Sequence, residues 1–125
     1  MQTLEEQIFR TESASILGHL RELTTRRGYK FDCPPADWPQ GQTAKLSKDG
    51  NWLELTAASP KELGSMPEMM NAAGFRLTTS WGHKVIMYRE LKSWRVWNPT
   101  MIATDSVEVS NVGEWLDDQI MKVLG

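Results

Sequence analysis

Apolar residues recur at helical spacing over three stretches of the chain and at alternating spacing between them. Leu4, Ile8, Phe9, Ile16, Leu20 and Leu23 share one side of a predicted helix running from about Leu4 to Arg27. Thr3 and Glu6 form a capping-box pattern at its start. Arg26 and Arg27 precede Gly28 at its end, where cations suit the negative pole of the helix dipole. Glu12 and His19 interrupt the apolar stripe. Seven residues apart, they are separated by ~10.5 Å along a helix axis and do not touch. They read either as a polar notch facing a ligand or as amphipathic side chains at the edge of the stripe.

The second helical stretch, Pro60 to Ala73, is irregular. Ser59 and Glu62 frame a capping box with proline in the first helical position, and Ser65 and Glu68 repeat the signal. Pro67 inside one continuous helix would clash with the carbonyl of Leu63. A short turn, a break near Gly64 and a helix over 66–73 are expected, carrying Met66, Met69 and Met70. The third helix, from about Val112 to Leu124, opens on Asn111 and Glu114 and buries Val112, Trp115, Leu116, Ile120, Val123 and Leu124.

Between the helices the pattern alternates. Asp49-Gly50 is a strong hairpin signal. A turn there sets Lys48 against Asn51, Lys45 against Glu54 and Thr43 against Thr56, and gathers Ala44, Leu46, Leu53 and Leu55 on one face. A second hairpin is expected to turn at Gly82-His83, with strands over 75–81 and 84–90. Leu77, Thr79 and Trp81 would then share a face with Tyr88, Ile86 and Lys84, and Arg76 would stand opposite Arg89. Further strands are expected over 93–97 and over 101–109, with a break near Asp105. Residues 32–42, with three prolines, read as a loop. Helix, hairpin, helix, antiparallel strands, helix is the order of an α+β domain: one mainly antiparallel sheet of about five to six strands with the helices on one face.

The chain's 125 residues suit a single domain, 24% of them are charged, and the apolar content rules out wholesale disorder. No apolar run approaches the ~20 residues of a membrane span. Met-Gln-Thr-Leu-Glu-Glu has no apolar stretch behind it and does not read as a signal peptide. The expected compartment is the cytoplasm. The single Cys33 makes no internal disulfide, and Cys33, His19, His83 and Asp32 lack metal-ligand spacing, so neither a metal nor a cofactor is expected. There is no phosphate-binding glycine loop, dinucleotide fingerprint, metalloprotease helix or serine-hydrolase elbow. Cys33 and His83 carry no spacing that supports a nucleophile pair. An enzyme is not expected.

The distribution of charge says more than the net −2. Residues 76–98 sum to +4, from Arg76, Lys84, Arg89, Lys92 and Arg95 against Glu90, whereas 99–125 sum to −4. The basic stretch also holds Trp81, Tyr88, Trp94 and Trp97, three of the six tryptophans. In a strand, Trp94 and Val96 point one way and Arg95 and Trp97 the other. The expectation is a small non-enzymatic protein-binding protein, an inhibitor, immunity-type or chaperone-like accessory protein of bacterial or phage style. Trp97 would be its anchor, with Trp81 or Trp38, flanked by Arg89, Lys92 and Arg95 and by Lys84 and His83 at the turn. Tryptophan and arginine dominate interface energetics, and the cations would meet an acidic and apolar patch on the partner. The alternatives are single-stranded nucleic-acid binding by the same surface, where rings stack on bases and cations track phosphates, a ligand cup between the sheet and the first helix with Glu12 and His19 as its polar groups, and a homodimer formed through a strand edge or the methionine segment. The low pI of 5.7 counts against nucleic acid. The competing reading of the basic stretch puts its indoles in the core and leaves its cations as a solvated face.

Overall fold

The computed structural model describes residues 4–58, 73–89, 93–98 and 107–125. Its elements in chain order are α1 (Leu4–Arg27), β1 (Lys30–Asp32), β2 (Thr43–Lys48), β3 (Asn51–Ala58), β4 (Ala73–Thr79), β5 (Lys84–Arg89), β6 (Trp94–Trp97), β7 (Val107–Val109) and α2 (Val112–Leu124). The seven strands lie side by side in sequence order, each antiparallel to the next. The class is the expected α+β; the strand count exceeds expectation. β1 is the unforeseen strand: its three residues are too few to show a period, and they gain their pairing from β2. The middle helix expected over 60–73, its three methionines, the start of the strand expected over 101–109, Lys92 and the Thr3 cap lie outside the described residues.

The β2–β3 hairpin has the expected register throughout, from Thr43 opposite Thr56 to Lys48 opposite Asn51. Asp49 and Gly50 both take positive φ, 53° and 85°, the pair of angles that a type I′ turn demands and that matches the twist of the strands. Strand alternation then sorts the side chains. Ala44, Leu46, Leu53, Leu55, Phe75, Leu77, Met87 and Trp94 face the helices and join Ile16, Leu17, Leu20 and Leu23 of α1 and Leu116, Ile120 and Val123 of α2 in one buried core. Each such large side chain removed from water contributes ~1.5–3 kcal/mol. Phe75 sits at the core's aromatic centre, with ring centroids 5.0 Å from Phe9, 4.4 Å from Trp38 and 6.1 Å from Trp94. Asn111 caps α2 by accepting from the Glu114 N–H at 3.1 Å, and Gly125 closes it.

The second hairpin corrects the expectation. Arg76 faces Ile86, not Arg89, and Leu77 faces Val85. The reason is the loop. Thr79 Oγ1 accepts from the amides of Trp81 and His83, the Thr79 amide donates to the His83 carbonyl, and Gly82 takes φ 83°. The connection therefore occupies Ser80 to His83 in place of a tight turn at Gly82-His83. A slip of three positions, from Arg89 to Ile86 opposite Arg76, exchanges the two faces of β5. Val85, Met87 and Arg89 turn to the helices. Ile86 and Tyr88 turn away and form a second, smaller cluster with Ala58, against which Trp97 packs. The like-charge pair expected between Arg76 and Arg89 does not arise.

Gly74 on β4 lies opposite Tyr88 of β5, with no room for a side chain. A Cβ on it would stand 2.0 Å from the Met87 carbonyl oxygen and 2.9 Å from Tyr88 Cα, both backbone atoms that cannot swing aside. Gly74→Ala is expected to lower stability by about 1–3 kcal/mol through overpacking, read as a reduced urea midpoint with an unchanged slope. Phe75→Ala removes a ring that touches three others and is expected to cost about 3–5 kcal/mol in the same titration.

Candidate functional site

Two regions bring polar and aromatic side chains together: the sheet face turned away from the helices and a cleft between α1 and α2. On the outer face the pairing aligns Lys30 and Asp32 of β1, Lys45 of β2, Trp52 and Glu54 of β3, Arg76 of β4, Lys84 of β5 and Arg95 and Trp97 of β6, with Glu108 of β7 opposite Arg95. Five of these side chains are basic and three acidic, so the face is locally positive on a chain of net charge −2.

Trp81 is the most exposed tryptophan among the described residues, at 56%. It is nevertheless held. Its indole Nε1–H donates to Asn51 Oδ1 at 3.2 Å, and its ring meets His83 edge-on with centroids 6.1 Å apart. Ser80, its neighbour, accepts from the Trp52 amide on its hydroxyl and donates its own amide to the Trp52 carbonyl, each at 3.0 Å. The β4–β5 loop is thereby stitched to the start of β3. Trp52, half-buried, has Lys45 Nζ 5.5 Å from its ring centroid, a cation–π arrangement, and Lys45 also lies 3.8 Å from Glu54. Beside Trp52 is a shallow hollow of about 350 Å³ bordered by Lys30, Lys45 and Lys48.

The predicted contact residues divide. Trp81, His83 and Lys84 are exposed at or beside the β4–β5 loop. Trp97 and Arg95 share the outer face as strand alternation required, each half-buried, with Trp97 leaning on the cluster of Ile86 and Tyr88. Arg89 belongs elsewhere. It is 9% exposed, on the helix side of the sheet, and its Nε lies 3.0 Å from Glu12 Oε2. This corrects its expected place among the surface cations: with β5 in its actual register it must point inward. Trp38 is likewise buried, at 4% exposure, donating its indole N–H to the Gln42 carbonyl at 2.9 Å and covering Phe75. Of its two readings, the structure fits the lid over the core's edge. Trp52 and Lys45 were overlooked in the sequence, although the β2–β3 register puts both on the polar face of that hairpin.

The cleft between the helices is built on the two irregularities in the stripe of α1. Glu12 Oε2 accepts the Trp94 indole N–H as well as facing Arg89. His19 Nε2 lies 2.8 Å from Asp117 Oδ1, linking α1 to α2. Between these two pairs is an opening of about 420 Å³ bounded by Ser15, Ile16, Trp94, Val112, Gly113 and Leu116. Gly113 lies at its edge near the imidazole: a Cβ there would stand 3.4 Å from Asn111 Oδ1 and 4.0 Å from His19 Nε2, both ordinary contact distances.

Among the described residues no group of His, Cys, Asp and Glu is placed to hold a metal ion. Among the same residues no helix is long and apolar enough to cross a membrane. Comparison with protein-family models, with curated proteins and with solved structures finds no match for this chain.

Proposed function

We propose that the chain is a small non-enzymatic docking protein of the cytoplasm, working as an inhibitor, immunity-type or chaperone-like accessory protein. Its contact surface is the outer face of the sheet and the β4–β5 loop at the end of that face. The observation that carries this reading is Trp81: an indole 56% exposed, yet fixed by a hydrogen bond from its tip to Asn51. An exposed aromatic that is already ordered loses little conformational freedom on binding and supplies a large apolar contact. Trp52 and Trp97 extend the aromatic surface along the sheet, and Lys45, Lys84 and Arg95 supply the charge.

The partner that fits is a protein presenting an apolar pocket rimmed by Asp and Glu. The basic excess on this face steers such a partner in, and the indoles carry the affinity. Lysines interleaved with rings also suit single-stranded nucleic acid, which is the second reading.

Trp81→Ala is expected to weaken partner binding by about 2 kcal/mol or more while leaving the melting temperature unchanged, because its ring fills no core position. Lys84→Glu is expected to slow association and reduce its salt dependence. Both variants and the parent chain, immobilised, are exposed to native lysate and separately to an oligothymidylate at two salt concentrations. A protein retained by the parent and lost by both variants supports the proposal. Retention indifferent to both variants overturns it. Oligonucleotide binding that falls steeply with salt transfers the surface to nucleic acid.

A further inference from the structure

We propose that the cleft between α1 and α2 binds a small organic amine with an apolar body, its ammonium group held by Glu12. This site is separate from the docking face and does not depend on it. Its volume, about 420 Å³, lies within the roughly 300–1,000 Å³ typical of small-molecule sites. Ile16, Val112, Leu116 and the Trp94 ring provide an apolar wall. The chemistry of the remaining groups selects the ligand. Both contacts that Glu12 makes, to Trp94 and Arg89, fall on Oε2. A carboxylate offers about four acceptor positions, so Glu12 keeps acceptor capacity on Oε1. His19 directs Nε2 at the Asp117 carboxylate, which makes that nitrogen the donor. Asn111 Oδ1, also at the rim, is another acceptor, engaged by the Glu114 amide.

The cleft thus presents acceptors and asks its occupant for donors. The charged groups facing it agree. Glu12 is the carboxylate that lines the cleft, and the Arg89 guanidinium is paired with its Oε2. A ligand carboxylate or phosphate would bring like charge against Glu12. An ammonium on a short apolar stem satisfies both the wall and the acceptors.

The test uses two probes of the same shape and opposite charge, phenethylammonium and phenylacetate, titrated into the full-length chain while the Trp94 indole N–H is followed by NMR. Phenethylammonium is expected to shift that signal saturably, and phenylacetate to leave it unmoved. Glu12→Gln, which keeps an acceptor for Trp94 but removes the charge, is expected to weaken amine binding about tenfold or more. Ser15→Phe closes the cleft from an exposed helical position without touching the ion pair, and is expected to abolish the shift. This variant keeps the test decisive if Glu12→Gln does not fold. Equal or preferred binding of phenylacetate, amine binding that survives Ser15→Phe, or no saturable shift with either probe overturns the proposal.

Discussion

A carboxylate set into the apolar stripe of a helix must be given partners, and the partners of Glu12 organise the middle of this molecule. It draws the Trp94 indole in from β6 and the Arg89 guanidinium in from β5. Side chains alternate along a strand, so fixing Arg89 and Trp94 on the inner face sends Tyr88 and Arg95 to the other. Ile86 and Trp97 follow by the same parity. One contact on α1 thus agrees with the sorting of two strands, and that sorting determines which basic residues reach the surface. The same carboxylate borders the cleft between the helices, which places the polar floor of that cleft and the composition of the outer face under one constraint.

The parts of the fold most open to reading were those in which several local signals agreed. The β2–β3 hairpin combined a two-residue turn of strong type with clean alternation and opposed charges, and its register followed directly. α1 and α2 combined periodicity with end signals. β5 offered no such agreement. Val85, Ile86, Met87 and Tyr88 are apolar in succession, so alternation gives no parity, and the register fell to the turn. There the decisive group was the Thr79 hydroxyl, whose two amide contacts lengthen the loop, and a lone threonine is a weak signal. The misplacement of Arg89 followed from that single uncertainty. Trp38 was ambiguous for another reason. Its burial depends on a positive φ of 43° and on Phe75, distant in sequence.

For the docking site, alternation along β6 separated Trp97 from Trp94 correctly, and the exposed positions of Trp81, His83 and Lys84 followed from a loop that was located to within a few residues. Trp52 is legible from the β2–β3 register, which sets it beside Lys45 on the polar face of that hairpin, outside the basic stretch 76–98. Glu12 and His19 were conspicuous as breaks in a periodic stripe. Their partners, Arg89, Trp94 and Asp117, come from elements far along the chain, and no local pattern joins them.

The proposed function rests on exposed indoles within a locally positive field, and collisional quenching reads both properties at once. Iodide and caesium differ in sign, and at ionic strengths near 0.1 M each senses charge within about 10 Å of the ring. On a chain of net charge −2, uniform electrostatics favours caesium. Stronger quenching of tryptophan emission by iodide than by caesium, each taken relative to its quenching of free N-acetyltryptophanamide, is expected, with most of the iodide-sensitive fraction lost in Trp81→Phe. Relative quenching by caesium that equals or exceeds that by iodide, or an iodide-sensitive fraction untouched by Trp81→Phe, would contradict the basic, aromatic docking face.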